Sequence, residues 1–338
     1  MPKKPARTVK NAKTAKPSVA LPDGAKIMQD LQKELGKQSF ANAGEVQAFM
    51  KSLMGLAGQS LGNPGGPESL KDEAQDLAYE AMEAPTAAQA RKLAKKALAK
   101  DPDCVDALVV LADLEAATAK DAIAGLQKAV EAGERSLGAK FIEENAGHFW
   151  LILETRPYMR ALEHLASASS AAELYPQAIQ VYEKMLALNP GDNQGVRDPL
   201  LGLYLALGDT VGAAKLLQAY QDDSLANFAW GRVLERFLSH DLPGAAAALK
   251  IARKQNRFVE LFLSGQKNFP KQMPDSYSPG SEDEALICLD NLALAWANSR
   301  PASFWLLDQL AKDAVKKVAS ASKLKIISSK PGKKHYSQ

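Results

Sequence analysis

Cysteine is scarce in this 338-residue chain: there are two, Cys104 and Cys288, and no CxxC spacing. That is too few for a disulfide framework and gives no zinc-ligand pattern, so a reducing, cytoplasmic setting is expected. Cys104 stands among Asp101, Asp103 and Asp106. Negative neighbours raise a thiol pKa, which argues against a reactive nucleophile there. The four histidines, His148, His164, His240 and His335, are scattered, and each is expected to be structural or at the surface. The phosphate loop GxxxxGK[ST], a strand-associated GxGxxG, HExxH, GxSxG and the kinase set are all missing, so no catalytic residue, cofactor or metal site is predicted. No apolar run approaches the roughly 18 residues needed to cross a bilayer, and the first twenty residues lack an apolar core. Neither a membrane span nor an ordinary secretion signal is expected.

Acidic residues are nearly missing from both ends. Residues 1–22 carry six cations and no acid, for +6, and residues 312–338 carry eight lysines against Asp313, for +7. The whole chain is +3, which leaves −10 on the residues between. Such ends read either as solubilising disordered tails or as arms attracted to nucleic acid or to the acidic body. The N-terminal stretch shares its lack of acids with transit peptides, but Pro2, Pro5 and Pro17 oppose a continuous amphipathic helix.

Clusters of β-branched residues are scarce too, whereas alanine recurs throughout and glycine and proline fall between apolar runs. This composition predicts an all-α protein. After a disordered basic tail over 1–24, helical spacing over 25–59 predicts a small N-terminal element, and the Gly/Pro-rich stretch 60–68 a linker. From 69 to 255, apolar segments alternate with short breaks. The second helix of each predicted pair repeats an alanine followed by apolar or small residues four and seven positions on. Ala90, Ala122, Ala178, Ala213 and Ala245 lead these sets, at intervals of 32, 56, 35 and 32. Three intervals match the tetratricopeptide period of about 34 residues, and the long one marks an insertion. Pro102 and Pro190 close two units in the same register. The expected fold is therefore an all-α, tetratricopeptide-like α-solenoid of antiparallel helix pairs. Residues 256–320, with a helix start at Ser281, read as a C-terminal helical cap, and 321–338 as a basic tail, disordered from about 322.

The insertion, 134–160, is rich in aromatic and charged residues: His148, Phe149, Trp150, Glu154, Arg156, Tyr158 and Arg160. Aromatics with arginine at a break in a repeat either pack into the solenoid or anchor a partner. In NPGDNQGVRDP, Pro190, Gly191 and Gly195 suit a tight turn and Asp192 or Asn193 can cap the next helix, which leaves Arg197 without a role unless it clasps Glu154 or binds a ligand.

The segments ETRPYMRALEHLA and YEKMLALNPGDNQGVRDPLLGLYLALGD, with AQDLAYEAMEA, ARKLAKKALAKDPDCVDALVVLA, EAGERSLG, NRFVELFLSGQK and PGSEDEAL around them, resemble bacterial tetratricopeptide-repeat proteins related to the suppression-of-tumorigenicity family. The resemblance covers about residues 70–310. It implies a solenoid that binds a protein partner, with no established reaction. Its polar positions carry over to His148, Trp150, Glu154, Arg156, Tyr158 and Arg160, and to Asn189, Asp192, Asn193, Gln194 and Arg197. Asp198-Pro199 departs from the family pattern, and proline in a first helical turn shifts a helix start without breaking it. Three functions are open at this point: an interaction scaffold that binds a partner peptide or helix, a nucleic-acid-associated protein using its lysine-rich ends, and an enzyme centred on 148–160.

Overall fold

A computed structural model describes the backbone of residues 69–328 and the side chains of residues 69–316. The expected tail at 1–24, helical element at 25–59 and linker at 60–68 lie outside the described residues, as do 329–338. Within the described residues there is no strand. The chain forms five helix pairs: α1 (Leu70–Met82) with α2 (Ala87–Lys100), α3 (Val105–Glu115) with α4 (Ala119–Leu137), α6 (Arg156–Ala171) with α7 (Tyr175–Leu188), α8 (Arg197–Ala206) with α9 (Thr210–Ala219), and α10 (Ala226–Leu238) with α11 (Leu242–Gln255). A short α5 (Ala139–Glu144) precedes the third pair. Then come α12 (Phe258–Leu263), α13 (Glu282–Asn298) and α14 (Arg300–Ser328).

The repeat is written in the turns. Glu173, Gly208 and His240 all have positive φ, at 59°, 73° and 61°. Each is followed by a six-residue closing bond, Leu174 N–H to Ser169 O, Asp209 N–H to Tyr204 O and Asp241 N–H to Arg236 O, at 2.8, 2.8 and 2.9 Å. This is the Schellman stop: one left-handed residue lets the last carbonyls of the first helix find donors. These three turns are spaced by the same 35 and 32 residues as the alanines. Asp209 and Asp241 then cap the next helices by accepting from Gly212 and Gly244.

Ala90, Ala178, Ala213 and Ala245 are buried where helices approach closely, whereas Ala122 is only half-buried and Leu126 and Ala129 take its place in the core. Small side chains at these positions let paired helices come near each other. Ser281 caps α13 by accepting from the Glu284 N–H at 3.1 Å, with Glu282, Asp283 and Glu284 in the favourable first turn.

Two expectations need correction. The last helix runs to Ser328, through the start of the stretch read as a disordered tail. Alanine, lysine and leucine are strong helix formers and no proline or glycine interrupts them before Pro331. The insertion is also shorter than 134–160. Helix α4 continues to Leu137 and Arg156 already opens α6, so the segment between the pairs is 138–155, which holds the short α5.

Candidate functional site

The residues singled out in the insertion scatter to different surroundings. Phe149–Leu151 and Leu153–Thr155 form two 3-10 turns, fixed by the Thr155 hydroxyl at the carbonyls of Phe149 and Ile152. His148 and Glu154 are exposed. The Arg156 guanidinium lies 4.8 Å from the centre of the half-buried Trp150 ring and donates to the Trp150 carbonyl at 3.3 Å. Its Nε is buried without a hydrogen-bond partner. Tyr158 is buried, donates to Glu134 at 3.1 Å and carries Lys184 5.4 Å over its ring. Burial pushes its phenol up to about 12. Arg160 points the other way, forking onto Asp106 at 2.9 and 2.5 Å.

In the 189–197 turn, Asn189 and Asp192 are buried and Asn193 is exposed. Asp192 has positive φ (48°), and its carboxylate accepts from the Val196 and Arg197 N–H groups at 2.8 and 3.1 Å, which satisfies the start of α8. The Arg197 side chain pairs with Asp192 at 3.1 Å and with Asp223 at 2.9 Å. Gln194 donates to Glu163 at 2.5 Å and to the Met159 carbonyl at 3.3 Å. The insertion adjoins this turn where Gly147 N–H donates to the Leu188 carbonyl, 3.0 Å apart, whereas Gln194 reaches α6 beyond the insertion. They do not share one charged centre. The Arg197–Glu154 clasp does not form, because Glu154 sits on an exposed turn and Asp223 brings its carboxylate to Arg197 from the next unit.

Sequence reasoning missed the acids that organise the interior. Asp106 is fully buried, held by Arg160 and by Gln75 at 2.7 Å. Glu284 is buried in α13, accepting from Ala226 N–H, Asn256 and Gly280 N–H. Burial, reinforced by Asp223 and Asp192 and only partly offset by Arg197 and Asn227, pushes the Asp198 carboxyl up to about 6. The available signal was an acid inside an apolar helical face, as Asp106 is between Val105 and Val109.

A second arrangement covers several pairs at once. Helix α13 packs against α8 and α10, both first helices of their pairs. A Cβ on Gly202 of α8 would lie 2.1 Å from the Asn291 carbonyl oxygen of α13, so only glycine allows this approach. Asn298 donates to the Ala206 carbonyl at 3.0 Å, and Trp296 meets Trp230 edge-on at 6.5 Å. Shifting by 35 residues maps Asp198, Gly202 and Ala206 of α8 onto Glu163, Ser167 and Ala171 of α6; these are half-buried, exposed and exposed. The face that α13 covers on the last two pairs is thus left open on the third by the described residues. It continues over α3, which packs beside α6, and over α1, which packs beside α3. Its polar groups cross between helices: Gln75 and Arg160 meet on Asp106, the Arg160 guanidinium is 5.8 Å from the Tyr79 ring centre, and His164 Nδ1 is 3.2 Å from Asp113. The hydrogen bond that His164 donates to Asp113 raises the His164 pKa against the effect of burial.

Among the described residues no cluster of three His, Cys, Asp or Glu could hold a metal. No helix there is long and apolar enough to cross a membrane.

The fold defines a class, the all-α helix-pair solenoids. No family model and no curated protein matches the chain, so the family resemblance rests on the segments quoted above. Among solved structures, the chain is similar to one titled the crystal structure of MamA protein, at 16% identity over 60% of this chain and 98% of that one, with a TM-score of 0.40. It is also similar to one titled functional characterization of Pseudomonas aeruginosa PilF, at 19% identity over 55% and 91%, with a TM-score of 0.28.

Proposed function

We propose that the chain is a non-enzymatic, cytoplasmic scaffold that holds a helical segment of a protein partner on the open face of α1, α3 and α6. One observation carries the reading: on α8 and α10 the equivalent face is filled by the protein's own helix α13, which supports a helix as the occupant of the open part. A helix laid across successive first helices meets the repeated small and polar positions in register. The insertion borders this face where Arg156 opens α6. There, Leu151 and Leu153, 80% and 67% exposed, add apolar surface that nothing in the chain covers among the described residues.

The test is affinity capture from the native cell lysate with nuclease present, comparing the wild-type chain with Ala171→Trp, which fills the open stripe at an exposed position. Partners retained by the wild type and lost by the variant support the reading. Partners that disappear with nuclease alone would instead favour nucleic-acid association through the lysine-rich ends.

A further inference from the structure

We propose that the segment held by this face is a cationic amphipathic helix, an inference that rests on the scaffold reading above. The argument is one of charge left over after internal pairing. On α1 and its C-cap, Asp76, Tyr79 and Glu83 are spaced three and four residues apart and so share a side of the helix. Asp76 and Glu83 are exposed and neither forms an ion pair among the described residues. On α3, Asp113 is exposed and faces His164, and on α6 Glu163 is held only by the neutral amide of Gln194. Of the two arginines on this side of α6, Arg160 is already engaged in a fork by the buried Asp106, and Arg156 is turned onto the Trp150 ring and carbonyl. The open surface is therefore short of cations.

Its apolar part fits the same occupant. Tyr79 and Met82 are exposed on α1, 43% and 42%, beside those carboxylates. Lysine and arginine lay their aliphatic stems on such surface while the charged head reaches a carboxylate or the ring face. Helix α13 supplies the template for shape: over its 17 residues it buries Ala285, Leu289, Leu292, Ala295 and Trp296 against the neighbouring helices. It does not supply the template for charge, since its own first turn is acidic. The open half of the surface calls for the same apolar stripe with basic flanks.

The experiment uses the full chain and three 17-residue peptides that carry the α13 sequence with every other residue changed outside its apolar stripe. One has lysine at those positions, one has glutamate, and one is the lysine peptide with its apolar order scrambled. Binding is measured by fluorescence anisotropy at physiological salt, with circular dichroism confirming that each protein variant is folded. The lysine peptide should bind at least about tenfold more tightly than the other two, a difference of about 1.4 kcal/mol. The double variant Asp76→Lys, Asp113→Lys should reverse the preference between lysine and glutamate peptides. Equal or tighter binding of the glutamate peptide overturns the cationic assignment and leaves the helix-holding reading standing. Equal binding of the scrambled peptide overturns it too, since the contact is then charge alone. No binding of any peptide, or lysine-peptide binding untouched by Ala171→Trp, overturns the scaffold reading itself.

Discussion

Arg156 and Arg197 each open the first helix of a pair, yet their side chains meet opposite surroundings. Arg197 reaches two carboxylates, Asp192 and Asp223, both nearly removed from water. Arg156 has only the Trp150 carbonyl and ring. Removing one member of a buried ion pair strands the charge of the other, which costs about 3–5 kcal/mol. Arg197→Ala is therefore expected to lower stability in urea by about that amount. Arg156→Ala should cost under about 1.5 kcal/mol, because it removes one hydrogen bond and a stacking contact and strands no carboxylate. Equal losses from the two variants would contradict this account. The sequence offered both arginines as equals. Their partners lie 26 and 5 residues away for Arg197, and no local pattern in the sequence distinguishes Asp223 from the exposed acids around it.

At the scale of elements, the helix pairs were legible because their cause is local. The alanines where two helices approach and the prolines that close two units recur at a fixed spacing in the chain, so the period could be read before any contact was known. The placement of α13 was not legible. Its sequence gives an amphipathic helix after a capping serine, but its seat on α8 depends on Gly202, about ninety residues earlier, lacking a side chain. Adding one methyl group there forces the α13 backbone away, since the Asn291 oxygen and carbon would lie 2.1 and 3.0 Å from it. Overpacking of this kind costs about 1–3 kcal/mol and more when the neighbour is backbone. Gly202→Ala should consequently loosen α13 more than α8, visible in hydrogen exchange as faster amides over 285–298. Unchanged protection over that segment would mean that α13 is not seated through this contact.

At the scale of the whole molecule, the interior is divided unevenly, and the two cysteines report on the division. The larger cluster spans from α3 to α14 and contains Trp230, Trp296, Phe149, Phe228 and many leucines, with Cys288 inside it. The smaller belongs to the first pair and the start of α3: Ala74, Ala78, Ala81, Ala94, Ala97 and Ala107 with Cys104. Buried apolar groups contribute about 0.8 kcal/mol per methylene, so a core of alanines, with Leu77, Leu93, Leu98, Val110 and Leu111 only partly buried against it, stabilises its helices less than one of fully buried leucine and tryptophan. In a solenoid each unit leans mainly on its neighbours, and an end pair with a thin core opens before the centre does. Both thiols are inert while the protein is closed. Burial pushes Cys104 up to about 11, helped by Asp106 and Asp101, and burial raises Cys288 well above its ordinary value. Labelling by a thiol reagent at pH 8 therefore measures opening. In urea below the main transition, Cys104 should react first, with Cys288 following only as the large core unfolds. The Cys104→Ala and Cys288→Ala variants assign each phase. If the two thiols react together at every urea concentration, α1 and α2 unfold with the rest of the chain and the alanine core is no weaker than the aromatic one.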